Sequence, residues 1–539
     1  MVDLLRKVVR RLRNRDARAA RAAKAAKAAA KAATARASSQ LEAGAWGAAC
    51  ESYREALRVN GGKKTSRYAL AKALQRRYLV PFEVDGDTVV PIPAEAAEAA
   101  FTEALFELQA VVDTDPKRVR ATYFLGRHFE HGGRYVEAAQ TYQLALTRLE
   151  TVDEPWGHSS RLAWMFRRDW VAQLLNADPD ADPRLLRSTE AAEALPGGPS
   201  PDVAGFIDAT VTHKGLAVTG FVLADRGDDI DIHLDGRFLV RVTADPGKRL
   251  HNFGITLTHR VLDEFPSRAR LTAFTDTAGL VSKGGAEAII VDVPDGSGKL
   301  PVLLDDGYRV NKKGRLSEPG AEAADHGPRY FRAYRRVHAV FAEKLGKPLF
   351  LVYGTLLGCY RDGALIPGDD DFDVAYLCAA TDPKGVKDET MDVMAALIAA
   401  GFDVRIAIDG RPFHLGVDGV GIDVNPLWQY QERVFGFTGH ALAREDLAAV
   451  TPLDVGEVTV DVPRGAEAFL RDTYGPDWRT PAPGFRYYRS DADLKELRKA
   501  RLTPSEVRRF AERVEELRRD NPGAGRFLGY AVPDNPDFE

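Results

Sequence analysis

"LIPGDDDFDVAYL", residues 365–377, packs four aspartates against apolar neighbours. Successive side chains of a strand point to opposite faces. Read as a strand, the segment turns Phe372 and Val374 to one side, into a core. Asp371 and Asp373 share the other side, with Asp369 in phase and Asp370 out of phase. Like charges this close repel, and burying an unpaired carboxylate costs several kcal/mol. The segment is therefore either a solvated acidic loop or the seat of a cation. Two carboxylates converging on one point suit a hard divalent ion such as Mg2+ or Mn2+. The pattern is not an EF-hand, because no D-x-D-x-D-G-x5-E follows.

Working outward, "PLFLVYGTLLGCY" (348–360) reads as an apolar strand entering a helix through a turn at Gly354 and Thr355. Helix N-terminal amides favour a phosphate. Downstream, "GVGIDVNPL" (419–427) places Asp423 between Ile422 and Val424 inside an apolar strand. A carboxylate there needs a reason: a shared metal or a hydroxyl to deprotonate. Each feature alone is weak; the three in this order are specific. Residues 318–490 alternate helix and strand patterns, as in an α/β domain.

These residues carry a resemblance. "YGTLLGCYRDGALIPGDDDFDVAY" (353–376) resembles the LicD and fukutin-related family of the nucleotidyltransferase superfamily. The matching positions are Gly354 to Gly358, Arg361, Leu365 to Pro367 and Asp369 to Asp373, with Asp423 in the later strand. Tyr474, Gly475 and Trp478 match the closing segment, so the resemblance spans roughly residues 320–490. It departs at Gly368, where the family has an aromatic, and at Gly363, one place early.

The resemblance implies phosphotransfer from a CDP-activated donor carrying a choline, glycerol or ribitol group onto a sugar. It implies that Asp371 and Asp373 hold Mg2+ or Mn2+, while Asp423 completes the metal site or acts as general base. Gly354 and Thr355 are expected to cradle phosphate, with Asp369 and Asp370 beside the donor. Arg361 is expected to pair with a phosphate or with one of the aspartates. His414 in "RPFHLGVD" is a candidate contact for acceptor or nucleotide.

The rest of the 539-residue chain reads as further domains, giving a multidomain α+β protein. Residues 1–37 hold twelve Lys and Arg against two Asp. "MVDLLRKVVRRLRN" sets Leu5, Val8, Val9 and Leu12 at helical spacing, so a basic amphipathic helix touching an anionic membrane surface is expected. Residues 38–195 read as all-helical. "YFLGRHFEHGGRYVEAAQTYQLALTRL" (123–149) resembles a tetratricopeptide repeat through Leu125, Gly126, Phe129, Ala138, Tyr142 and Ala145. Such repeats imply a protein partner. "EALPGGPSPD" (193–202) is a linker, and 200–298 alternates apolar and polar residues as an antiparallel β-sandwich. Residues 491–539 read as a charged helical tail on a solvated face.

Net charge is −4, which gives no nucleic-acid signal. Cys50, Cys359 and Cys378 are few and not in metal-ligand spacing, which suggests a reducing compartment. No run of about 18 apolar residues suggests a span, and no apolar segment follows the basic start as in a secretory signal. The expectation is a cytoplasmic enzyme, peripheral at the inner membrane face, acting on a glycan or lipid-linked, teichoic-acid-like polymer. Two alternatives stay open: nucleotidyl transfer from an NTP, and a repeat scaffold with an inactive transferase domain.

Overall fold

The structure is a computed structural model that describes residues 2–60, 63–86, 88–193, 203–245, 247, 249–319, 327–367, 371–407, 413–481, 485, 487 and 490–530. Gly368, Asp369 and Asp370, most of the expected linker and the end of the tail lie outside the described residues, as do the side chains of residues 2–17. The chain divides into two compact units, Met1–Thr151 with Ala163–Leu316, and Val152–Leu162 with Ser317–Glu539.

The first unit mixes helices and sheets. Its helices pack in sequential pairs: Val2–Glu42 on Trp46–Asn60, Lys64–Leu79 on Ala94–Thr114, and Val119–His131 on Tyr135–Leu149. Small residues allow the close approach. A Cβ built on Gly126 would lie 2.6 Å from the Tyr142 ring, and Ala138 and Ala145 are fully buried beside it. The region is not purely helical. Phe82–Asp85 and Thr88–Pro91 pair as a hairpin, with Asp85 opposite Thr88 and the turn begun by Gly86 at φ +57°.

Two sheets follow. One runs Leu280–Val281, Gly205–Thr212, Gly215–Leu223, Leu250–Thr258; the other runs Ser188–Ala191, Ile289–Asp292, Arg268–Phe274, Asp229–Leu234, Arg237–Thr243. Alternate residues such as Ile207, Val218, Ile232 and Leu271 share one buried cluster. Two details depart from the expectation. Ser188–Ala191 joins its sheet from before the linker, and Leu280–Val281 pairs in parallel with Gly205 and Phe206.

The second unit is built on one mixed sheet. Its elements, in chain order, are α1 (Gly327–Val340), β1 (Phe350–Leu351), α2 (Tyr353–Asp362), β2 (Asp373–Leu377), α3 (Pro383–Ala399), β3 (Asp403–Ile406), β4 (Phe413–Val417) and β5 (Val420–Tyr430). Later come α4 (Ala466–Tyr474), α5 (Pro504–Asp520) and β6 (Phe527–Tyr530). The strand order is β1-β2-β5-β4-β3-β6. Pairs β2–β5 and β3–β6 are parallel, and the others are antiparallel.

The apolar phase of the acidic segment anchors this sheet. Phe372 is 1% exposed, stacks on Tyr330 at 5.3 Å and meets Phe331 and Tyr334 edge-on or tilted. Burying one such ring stabilises by about 1.5–3 kcal/mol. The tail corrects the sequence reading. α5 buries Val507, Phe510 and Val514 and packs on α3, and β6 then completes the sheet beside β3. Its capping box, Thr503 with Glu506, explains where α5 starts.

Candidate active site

The site forms where β2 and β5 run side by side. Asp373 is the first residue of β2, and its register partner on the parallel strand β5 is Asp423. Partners in register share a face, so the two carboxylates project to the same side from backbones one strand spacing apart, about 4.8 Å. The row continues: Asp423 pairs with His414 on β4, and His414 with Arg405 on β3. Four charged side chains thus line one face of four adjacent strands, while Val374, Ile422 and Val424 fill the other.

Within the row, His414 Nδ1 lies 2.5 Å from Asp423 Oδ1. Burial pulls the imidazole pKa down. The charge and hydrogen bond of Asp423, helped by Asp371 and opposed by Arg405, outweigh burial and leave it above its ordinary value. Asn425, 4% exposed, donates from Nδ2 to Asp373 Oδ1 at 3.2 Å.

α2 brings its N-terminus to the same place. Thr355 Oγ1 accepts the Asp373 N–H at 2.8 Å, and Thr355 is 2% exposed. This ties the first turn of α2 to the start of β2. The sharp entry into α2 falls on Tyr353 rather than on Gly354: Tyr353 has φ +49°, the left-handed region that a bulky residue rarely occupies. Its hydroxyl accepts the Phe437 N–H at 2.8 Å, which holds the strained residue in place. Gly358 serves another need. A Cβ there would sit 2.7 Å from the Ala364 carbonyl oxygen, so glycine lets the segment leading to the aspartates pass against the helix.

The expected residues separate as follows. Asp373, Asp423 and His414 come together, with Asp371 exposed on the approach to β2 and within electrostatic reach of His414. The strand begins at Asp373 rather than at Asp369 as the alternation suggested, so Asp371 is not a strand residue. Gly354 lies in the first turn of α2. Arg361, at the far end of α2, forms a forked pair with its neighbour Asp362 at 2.7–3.0 Å and with neither Asp371 nor Asp373. Asn425 and Arg405 were missed. Asn425 follows Asp423 by two in "DVN", and that period was the available signal.

The donor set fits a hard divalent cation. Asp373 and Asp423 offer carboxylate oxygens from neighbouring strands, the ligands Mg2+ and Mn2+ prefer. Among the described residues, no group of three or more His, Cys, Asp and Glu is gathered as a metal cage. Mg2+ commonly takes one or two carboxylates and completes its shell with water and substrate phosphates.

An acidic pair on a mixed sheet beside a helix N-terminus can hold a cation next to an anionic group. Residues 346–463 match the family model described as the LicD/FKTN/FKRP nucleotidyltransferase domain, so the chain carries a domain of that phosphotransferase-type family. The match covers a little over a fifth of the chain. A comparison with curated proteins finds no match. Among the described residues no helix is long and apolar enough to cross a membrane. All three cysteines are free and buried.

Proposed function

We propose that this domain transfers a phospho-alditol or phosphocholine-type group from a CDP-activated donor to a hydroxyl of a cell-surface glycan or teichoic-acid-like polymer. The observation that carries the reading is the in-register pair Asp373 and Asp423 beside the N-terminus of α2. A bound Mg2+ or Mn2+ would supply charge neutralisation on the diphosphate oxygens. Asp373 would hold the cation, with Asp371 at the entrance. Asp423 either joins Asp373 or takes the acceptor proton, and its contact with His414 fixes its orientation in both roles. The N–H groups of the first turn of α2 face the anionic donor.

In the reaction, the acceptor oxygen bonds to the donor's outer phosphorus. The bond from that phosphorus to the bridging oxygen breaks, CMP leaves, and the acceptor proton passes to a carboxylate. Positioning and electrostatics carry such a direct transfer from donor to acceptor.

The basic N-terminal helix supports a location near anionic lipid at the cytoplasmic face, where lipid-linked acceptors lie. Arg18, Arg21, Lys24 and Lys27 are exposed along it. The helix pairs of the first unit are assigned to a protein partner of the assembly machinery. Product analysis tests the central reading. CMP released from a CDP-linked donor supports it, pyrophosphate released from an NTP replaces it with nucleotidyl transfer, and neither product points to a scaffold.

A further inference from the structure

Beside the carboxylate pair stands a group of aromatic side chains that the family match does not reach in full. Tyr353, at the entrance of α2, meets Phe437 at 6.0 Å and Tyr487 at 5.7 Å between ring centroids. Tyr487 in turn meets Phe437 at 5.2 Å, Tyr474 at 5.9 Å and Phe485 at 5.2 Å. The Tyr474 and Tyr487 hydroxyls are 2.8 Å apart. Exposure grades along the group: Tyr353 is buried, Phe437, Tyr474 and Tyr487 are half-buried, and Phe485 is 38% exposed. The buried end adjoins the site. Tyr353 lies two residues before Thr355, which holds Asp373, and Tyr487 is within electrostatic reach of the Asp373 carboxylate. The rings thus form a wall running from the first turn of α2 toward solvent.

We propose that this wall is the acceptor subsite and takes a pyranose ring of the glycan, laid against Phe485 and Tyr487 with its hydroxyls toward the Tyr474–Tyr487 pair. The proposal rests on the phosphotransfer reading. Two observations select a sugar over the donor's nucleobase. First, Tyr487 meets four rings among the described residues at 53° to 86°, so it shares with none of these a parallel-faced slot that a flat base could enter. A corrugated aromatic surface with hydroxyls at its edge suits a puckered ring that offers C–H groups on one face and O–H groups around it. Second, the buried end of the wall, Tyr353, lies two residues from Thr355, which accepts the Asp373 N–H. A base is separated from the reacting phosphorus by a ribose and a phosphate, whereas the acceptor oxygen must touch it. The exposed end at Phe485 leaves room for the next sugar of a polymer.

The test is saturation-transfer NMR on the full chain with glucose, galactose, N-acetylglucosamine and N-acetylgalactosamine as probes, alongside titration of CDP with Mg2+. Phe485→Ala removes an exposed ring and leaves the core intact; Tyr487→Phe keeps the ring and removes the hydroxyl. Saturation is expected at the ring C–H protons of at least one pyranose, falling several-fold in Phe485→Ala. In Tyr487→Phe the affinity falls while the contact pattern stays, and CDP binding is unchanged in both variants. No pyranose signal, or a signal indifferent to Phe485→Ala, overturns the proposal. So does a loss of CDP affinity in Phe485→Ala with sugar binding intact, which would make the wall a base platform. Failure of CDP to bind wild type counts against the phosphotransfer reading alone, because the sugar arm needs no donor.

Discussion

Asp373 and Asp423 are direct register partners on two parallel strands, although 50 residues separate them in the chain. Parallel pairing needs a crossover, here α3 with the β3–β4 hairpin between. The crossover is what converts two distant carboxylates into one site. Their cost in mutual repulsion is offset within the row by His414 and Asn425.

Asp373→Asn is therefore expected to lower turnover by about 10²–10³-fold or more, the loss usual for a group acting on developing charge. The fold should be kept, because Asn retains the shape and relieves the repulsion. Steady-state kinetics beside a thermal melt check this. A melting temperature that collapses along with activity would assign Asp373 to folding instead.

His414→Gln removes the imidazole that pairs with Asp423. Outer partners of metal-binding carboxylates typically contribute 10–100-fold in metal affinity or activity. Mn2+ titration of the variant should show a drop of about that size. An unchanged titration would leave His414 a structural strand residue.

Thr355→Val keeps the volume and deletes the oxygen that accepts the Asp373 N–H. Leaving this half-buried N–H without a partner costs at most about 1–3 kcal/mol, the range for a fully buried group. The variant should melt lower and bind metal more weakly, since the start of β2 is no longer tied to α2. Calorimetry and metal titration on one preparation read both effects.

In the first unit, Glu130 gives a pH signature. Burial raises its pKa, but Arg127, Arg167 and the Tyr142 hydroxyl outweigh burial and bring it to about 2. A carboxyl depressed on folding stabilises fully above its unfolded pKa, and that gain disappears as pH falls through the folded value. Glu130→Gln is thus expected to destabilise by about 3 kcal/mol near neutral pH. The gap to wild type should shrink below pH 4.5 and close toward 2. Denaturant unfolding across that pH range measures it. A gap that is constant with pH would mean the loss is one of packing.

The acidic site was legible because it depends on strand alternation and on a compact motif. Phe372 and Val374 fixed the phase, and that phase put Asp373 on the open face. Asp423 showed itself as a charge inside an apolar run. What the sequence hid was register. Nothing in "FHLGV" or "DVRI" states that His414 and Arg405 extend the row, because cross-strand neighbours are set by tertiary pairing. The left-handed backbone at Tyr353 was also hidden, since the adjacent Gly354 is the residue that chemistry would choose for it. The docked tail was misread because α5 carries so many charges. Its three buried residues, Val507, Phe510 and Val514, lie at helical spacing on one narrow face.

The most direct test of the account is thermal stabilisation of wild type and Asp373→Asn by CDP, with Mn2+ and with EDTA. A ligand at about 100 times its Kd adds roughly 2.7 kcal/mol. Stabilisation of wild type by CDP with Mn2+, absent with EDTA and absent in Asp373→Asn, is the predicted result. Stabilisation that survives EDTA or the substitution, or none with any nucleotide, would contradict the assignment of this site to metal-dependent phosphotransfer.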